Sequence, residues 1–297
     1  SQVSRSNDPE QIDLLDLMLQ LWRGKWMIAT FVVVFIALAI GYLSVAKEKW
    51  TSSAIIAQPD VAQIATYSNA LNILYGSAAP SMLDVQTRAI GRFNSSFSAL
   101  AQALENQEEP EKLTIEPAVK GEALPLSVSY TSTSAEAAQK QLAQYIQQVD
   151  EQTAKELAVD LKDNIKEQIK TLNDSLQNQE KVAQEQKDLR IKQIAEALKN
   201  AEAAKITTPQ IQQTQDVTQE TMFLLGSVGL KSMIENEASR PLVFSAAYYQ
   251  TRQNLLDIQN LNVKPDTIHV YRYVMKPDLP VRRDSPKKAI VLILAVL

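Results

Sequence analysis

The 297-residue sequence predicts an α+β membrane protein. Two transmembrane helices flank one large domain, which combines a small mixed α/β base with a very long extended helix. Three observations predict it. Trp26 to Ala46 (WMIATFVVVFIALAIGYLSVA) carries no charge, and a helix of about 20 such residues crosses the hydrocarbon core of a bilayer. A second apolar run, Ala289 to Leu297, closes the chain. Between them, from Ser134 to about Lys205, lies a stretch with neither Gly nor Pro.

The first anchor is framed by Lys25 and Lys47, with Trp22, Trp26, Tyr42 and Trp50 near its ends. Amphipathic rings favour the headgroup level. Cleaved signal peptides have shorter apolar cores and a small-residue exit site, so the segment reads as a lasting anchor. Ala289 to Leu297 is too short to span alone and reads as the first half of a second membrane helix.

Composition removes several function classes. With 30 Lys+Arg against 34 Asp+Glu and a formal charge of −4, there is no basic footprint for nucleic acid. There is no cysteine, which excludes a disulfide scaffold, a thiolate metal site and a cysteine nucleophile. The one histidine, His269, sits in the strand-like run TIHVYRYVM and has no second histidine as partner. Seven glycines in the whole chain, beside abundant Ala, favour helix.

The chain divides into an amino-terminal segment (1–25), the first anchor (26–46), the first part of the base (47–132), the long helix with a distal loop and return helices (133–261), a last base strand with a proline-rich segment (262–288), and the second anchor (289–297). At the start, Asp8, Pro9 and Gln11 form a helix-initiating set, and Ile12, Leu15, Leu19 and Trp22 recur at helical spacing. The expectation is a short interfacial helix leading into the anchor. KWTSSAIIAQP then reads as a strand that Pro59 ends.

Val61 to Tyr75 is expected to be helical through Val61, Ile64, Leu71 and Leu74, with Gly76 as its stop. Leu83 to Leu104 is a second helix, burying Val85, Ile90, Phe93, Phe97, Leu100 and Leu104. LTIEPAV and PLSVSYTS alternate as strands. With the first strand and Thr267 to Met275 they make one small mixed sheet.

A capping box at Thr133 and Glu136 opens the long helix. About 70 helical residues extend on the order of 100 Å. Its apolar stripe runs through Leu142, Ile146, Val149, Leu157, Leu161, Ile165, Ile169, Leu172 and Leu176, mostly in steps of four. Such a stripe drifts around a 3.6-residue helix, is narrow, and needs neighbours to cover it. Leu157, Leu161, Ile165, Ile169, Leu172 and Leu176 are the candidate contacts between copies. Across QNQEKVAQEQKD (177–188) the stripe nearly vanishes, which predicts a bend or a stretch solvated on all sides.

Thr207, Thr208 and Pro209 are expected to end that helix. TMFLLGSVGLKSMIENEA is a helix folding back along it, interrupted at Gly226 and Gly229. Those glycines lack the Lys-Ser/Thr of a P-loop and read as a kink or close contact. Phe244 to Leu261 is a last helix and Asp266 to Met275 a last strand.

MKPDLPVRRDSPKKA joins that strand to the second anchor. Pro277, Pro280 and Pro286 have fixed φ and no backbone donor, so the link is extended and stiff. Ser285 is the expected cap of the membrane helix, with Pro286 in its first turn. Arg282, Arg283, Lys287 and Lys288 fall at headgroup level, where they meet lipid phosphates.

The spacing Pro277-x2-Pro280-x4-Ser285-Pro286-Lys287 resembles the proline-rich signature of the polysaccharide co-polymerases, and the whole chain resembles their O-antigen chain length determinant branch. KEKWTSSAIIAQPD, VAQEQKDLRIKQI and RPLVFSAAYYQT carry the resemblance further. It implies a Gram-negative inner-membrane protein with cytoplasmic termini and a periplasmic domain. It also implies bell-shaped homo-oligomeric rings, for which eight copies is the expectation, and no catalytic activity or cofactor. The implied partners are the O-antigen polymerase, a lipid-linked polysaccharide whose modal length is set, and membrane lipid. The five motif residues are then the candidates for coupling domain to membrane.

One count points the other way. Lys47, Lys49, Arg282, Arg283, Lys287 and Lys288 on the domain side outnumber Arg5, Arg23 and Lys25, although long translocated domains weaken the positive-inside rule. Other classes fare worse. A two-anchor receptor or sensor needs a signalling domain after the second anchor. A kinase adaptor needs a partner with a P-loop, and no GxSxG or HExxH supports an enzyme. No residue is assigned a catalytic, cofactor-binding or metal role.

Overall fold

The computed structural model describes residues 14–211 and 216–297. The set Asp8, Pro9, Gln11 and Ile12 lies outside the described residues. So do positions 212–215 of the distal loop. The helices are α1 (Leu14–Arg23), α2 (Lys25–Val45), α3 (Val61–Tyr75), α4 (Met82–Glu105), α5 (Ala135–Ala203), α6 (Ser227–Ser239), α7 (Ala246–Gln259) and α8 (Lys288–Val296). The strands are β1 (Trp50–Ala57), β2 (Lys112–Pro117), β3 (Leu126–Ser132) and β4 (Arg272–Met275).

Among the described residues α2 is the one helix long and apolar enough to cross a membrane. Most of its apolar side chains are exposed, as expected for a surface that faces lipid; Ala39 is buried and Val32, Ile36 and Leu43 are half-buried. The short α8 packs against it. In α1 the leucines and Trp22 point outward, and the Lys25 ammonium lies 5.5 Å from the Trp22 ring centroid.

The chain folds into two compact units. The first comprises the described residues up to Asp60, Gln86–Thr153 and the chain from His269 onward; the second comprises Val61–Val85 and Ala154–Ile268. Each is therefore assembled from distant stretches rather than from consecutive blocks.

The first unit holds a sheet of order β2-β3-β1-β4. All three pairings are antiparallel, which corrects the expected mixed sheet. The reason is topological. The helical connection α3–α4 delivers β2 to the outer position, and its return strand β3 pairs with β1 running against it. The pleat sets Ser52, Ala54 and Ile56 of β1 on the same buried face as Leu126, Val128 and Tyr130 of β3. Ile90, Phe93 and Phe97 of α4 are buried in the same unit, as are Ala138, Leu142, Ile146 and Val149 of α5. Phe93 meets Tyr271 at 5.3 Å and Tyr130 meets Tyr145 edge-on at 5.4 Å, so aromatic pairs join the helices to the strands.

The last strand is shorter than expected. Pro265–Thr267 forms a 3-10 turn, and the Val270 amide donates to Asp150 Oδ1 at 2.9 Å instead of joining a ladder. Only Arg272–Met275 pairs with β1, with a register shift between Ile55 and Ile56.

Helix α5 begins one residue later than the expected box. Ser134, not Thr133, is the cap: its Oγ accepts from the Ala137 amide at 3.1 Å and its carbonyl from Ala138 at 3.0 Å. The helix ends before Thr207. Lys205 takes φ +59°, its amide reaches Glu202 O at 3.1 Å, and the Ile206 amide reaches Ala201 O at 2.9 Å. This pair of bonds is a Schellman motif, with lysine in the left-handed position that glycine usually fills.

In the second unit, Ile194, Ala197, Ala201, Met222 and Leu230 form a core on which Leu198, Phe223, Leu225, Met233 and Ile234 pack. The segment after the distal loop therefore returns along α5, as expected. Its break falls at Gly226 alone, between the 3-10 turn Met222–Leu225 and α6, at φ +84°. A Cβ there would come within 2.7 Å of the Thr207 carbonyl carbon and oxygen, so only glycine lets the two backbones approach. Gly229 lies inside α6 and interrupts nothing.

The polar stretch 177–188 is neither bent into a break nor bare. The helix is continuous through it. Gln179 donates to Thr251 Oγ1 at 3.3 Å, Glu180 accepts from the Tyr248 hydroxyl at 3.0 Å, and Lys187 donates to the Ala238 and Arg240 carbonyls at 3.0 and 2.7 Å. Polar contacts take over where apolar ones stop.

Candidate functional site

The proline-rich segment lies in the first unit and follows β4 down the outer edge of β1. Pro277 and Pro280 have no amide to donate, so backbone pairing is interrupted and side chains complete the edge. The Asp278 amide donates to Ser53 O at 3.0 Å. Its carboxylate accepts the Ser53 amide at 2.6 Å, and the Ser52 hydroxyl donates to Asp278 O at 2.6 Å. Gln139 of α5 donates to the Pro277 carbonyl at 3.0 Å, tying the long helix to the segment.

Further along, Asp284 repeats the pattern. Its amide donates to Lys49 O at 2.8 Å, and its carboxylate accepts from the Thr51 hydroxyl. Thr51 in turn shares a 2.8 Å bond with Thr131 of β3, so the edge is linked across two strands. The Lys49 amide donates to Ser285 O at 2.9 Å.

Arg283 is mostly buried and donates to Glu48 Oε1 at 2.7 Å; Glu48 also accepts from the Trp50 indole at 3.0 Å. The indole hydrogen bond, ahead of the Arg283 contribution, holds the Glu48 carboxyl below its ordinary range. Arg283 Nη2 is buried without a partner among the described residues.

These contacts place the predicted motif residues. Pro277 and Pro280 are half-buried, Pro286 is buried, and Lys287 is exposed. Ser285 does not cap α8, contrary to expectation. Lys287 is the residue before α8, and the Ser285 carbonyl is already engaged by Lys49. Asp278, Asp284 and Glu48 complete the site and were missed by motif spacing; Arg283, expected to face lipid phosphates, is instead mostly buried against Glu48. The legible signal was chemical: a strand-like segment rich in proline must pair through side chains, and aspartates stand beside those prolines.

Of the candidate contacts between copies, Leu157 and Leu161 are buried inside one copy, 6% and 2% exposed. Both are thus covered within a single copy before any second copy is considered. Ile165, Ile169, Leu172 and Leu176 are half-buried.

A second polar centre stiffens the first unit. Glu111 accepts from Tyr130 at 2.5 Å, from Tyr145 at 2.9 Å and from Gln107 at 3.0 Å. Burial works to raise the Glu111 pKa, but the three donors outweigh it and hold it low. Burial first, and the Glu111 carboxylate second, push Tyr145 up to about 12. Among the described residues no cluster of His, Asp and Glu is arranged to hold a metal ion.

The sequence profile of the chain length determinant protein (Wzz) family matches residues 10–116. A chain length determinant protein of Salmonella typhimurium is 72% identical over 293 residues, covering 99% of this chain and 90% of the relative. Among solved structures, a full-length bacterial polysaccharide co-polymerase aligns with a TM-score of 0.84 at 67% identity, covering 96% of this chain and 92% of that one. The periplasmic domain of a chimeric lipopolysaccharide O-antigen chain length regulator aligns at 0.70 and 66% identity, over 80% of this chain and 100% of that one. A Wzz dodecamer subunit aligns at 0.65 and 70% identity, over 80% and 100%.

Proposed function

From the premise that the chain belongs to the chain length determinant (Wzz) family, we propose that its proline segment transmits the state of the two membrane helices to the periplasmic domain. The protein regulates the chain length of lipopolysaccharide O-antigen as a polysaccharide co-polymerase and is not itself a catalytic enzyme. It resides in the inner membrane, with the domain in the periplasm, and it acts on the O-antigen polymerase while that enzyme extends a lipid-linked polysaccharide. The dodecamer formed by a relative supports a ring of twelve copies at least as well as the eight first expected.

One observation carries the coupling. The segment leading into α8 is bonded residue by residue to the strand that follows α2, through Ser53–Asp278, Thr51–Asp284 and Lys49–Ser285. With α2 and α8 packed together, a shift of either helix reaches the sheet directly. Replacing Pro277, Pro280 and Pro286 together by Ala is expected to change the modal O-antigen length on a polysaccharide gel while the domain stays folded by circular dichroism. A wild-type ladder from that variant removes the coupling role. A ladder unchanged on deletion of the whole protein removes the regulatory one.

A further inference from the structure

The polar interruption of the α5 stripe has a structural counterpart. Along this stretch lies a groove of about 510 Å³ within the second unit, between α5 and the start of α7. Asp174, Asn178 and Gln186 present exposed polar groups, and Gln179 braces the floor through Ser175 and Thr251. The opposite wall is an aromatic pair: Phe244 and Tyr248 stack at 3.9 Å with 14° between planes. A smaller hollow of about 340 Å³ adjoins it, sharing Ala183, Gln186 and Val243, and Lys187 props its wall through the Ala238 and Arg240 carbonyls. From Thr171 to Lys187 the α5 floor runs about 24 Å at 1.5 Å per residue.

We propose that this groove is a subsite for a neutral segment of glycan chain. The chemistry is specific to that class. Carboxamides and a carboxylate offer paired donors and acceptors to vicinal hydroxyls, while a flat aromatic face accepts the apolar C–H side of a sugar ring. A peptide helix would want a continuous apolar floor, and here the apolar stripe is broken. A polyanion would meet Asp174 and the nearby Glu180 and be repelled. The groove is open along its length, which suits a polymer rather than an enclosed small molecule. The proposal rests on the polysaccharide reading above and deepens it by giving the chain a place to be held.

The test uses the full-length protein in nanodiscs. The probe is lipid-free O-polysaccharide released from the host strain's lipopolysaccharide by mild acid, with dextran as control polymer. Wild-type protein is expected to bind the O-polysaccharide saturably by calorimetry and to ignore dextran. The double variant Asn178→Ala/Gln186→Ala, which removes only exposed polar groups, is expected to bind about tenfold more weakly, the loss from one to two hydrogen bonds. Phe244→Ala is expected to do the same, while Gln147→Ala, outside the groove, binds as wild type. Mass photometry must return the same oligomer for all four proteins.

Absence of saturable binding by the wild type overturns the proposal. So does unchanged affinity in both groove variants. Dissociation of the oligomer in those variants would assign the groove to a second copy, and likewise overturns it. A strain lacking the protein separates the two readings. If its ladder is altered but groove variants bind normally, only the subsite fails; if its ladder is unaltered, the regulatory reading itself fails.

Discussion

Asp278 stands 225 residues from Ser53, yet its carboxylate takes that amide at 2.6 Å. Removing it leaves the Ser53 amide short of an acceptor at a part-exposed edge. Asp278→Ala is expected to cost about 1–2 kcal/mol, while Asp278→Asn, which keeps an acceptor, costs less. Urea denaturation of both variants checks the order.

The Glu111 centre sets a pH window. Its hydrogen bonds require an ionised Glu111 and neutral tyrosines. A carboxyl held low in the fold contributes stability that is present above its unfolded value, about 4.3, and lost as pH falls through the lower folded one. A phenol raised to about 12 contributes below its unfolded value, about 10, and loses that contribution as pH rises toward 12. Stability should therefore decline between about pH 10 and 12. Tyr145→Phe should flatten part of that decline and cost about 1 kcal/mol at neutral pH, as read from denaturation midpoints across pH.

At the scale of elements, two substitutions near the end of α5 are expected to act in opposite directions. Lys205→Gly relieves a left-handed lysine and should stabilise by about 0.5–1 kcal/mol. Gly226→Ala forces a methyl group to 2.7 Å from the Thr207 backbone and should destabilise by more than about 1 kcal/mol. Thermal melts of the two variants, shifting up and down respectively, would check this.

The same elements show what could be read beforehand. The membrane helix, α3, α4, the three longer strands and the existence of α5, though not its continuity through 177–188, follow from local period and from stop residues such as Gly76. Antiparallel pairing throughout the sheet did not follow, because strand direction depends on which distant strand arrives alongside. The end of α5 was misplaced because Lys205, unlike Gly, carries no sign of a left-handed turn. The edge formed by Asp278 and Asp284 was legible only as aspartates beside prolines, for a related reason: each aspartate needs its partner in β1 to acquire a role. The prolines were legible because their constraint is intrinsic.

At the scale of the whole molecule, assembly is the property that a single copy leaves unfinished. Ile165, Ile169, Leu172 and Leu176 remain half-covered after Leu157 and Leu161 are buried. If these four lie between copies, replacing Ile169 and Leu172 by Gln should shift the oligomer toward smaller species in detergent while the helical signal persists. Native mass measurement would show it. An unchanged ring would send the contact elsewhere.

The antiparallel bonding of β1 with the segment before α8 has a mechanical corollary. Helices α2 and α8 attach at the same end of this pair of strands. If lipid or a neighbouring protein drew them apart sideways, the load would fall first on Lys49–Ser285, then on Thr51–Asp284, and only later on Ser53–Asp278. Such a seam opens one tooth at a time at low force. The joint would then behave as a soft spring rather than a latch, yielding by degrees to the width of whatever occupies the membrane between subunits.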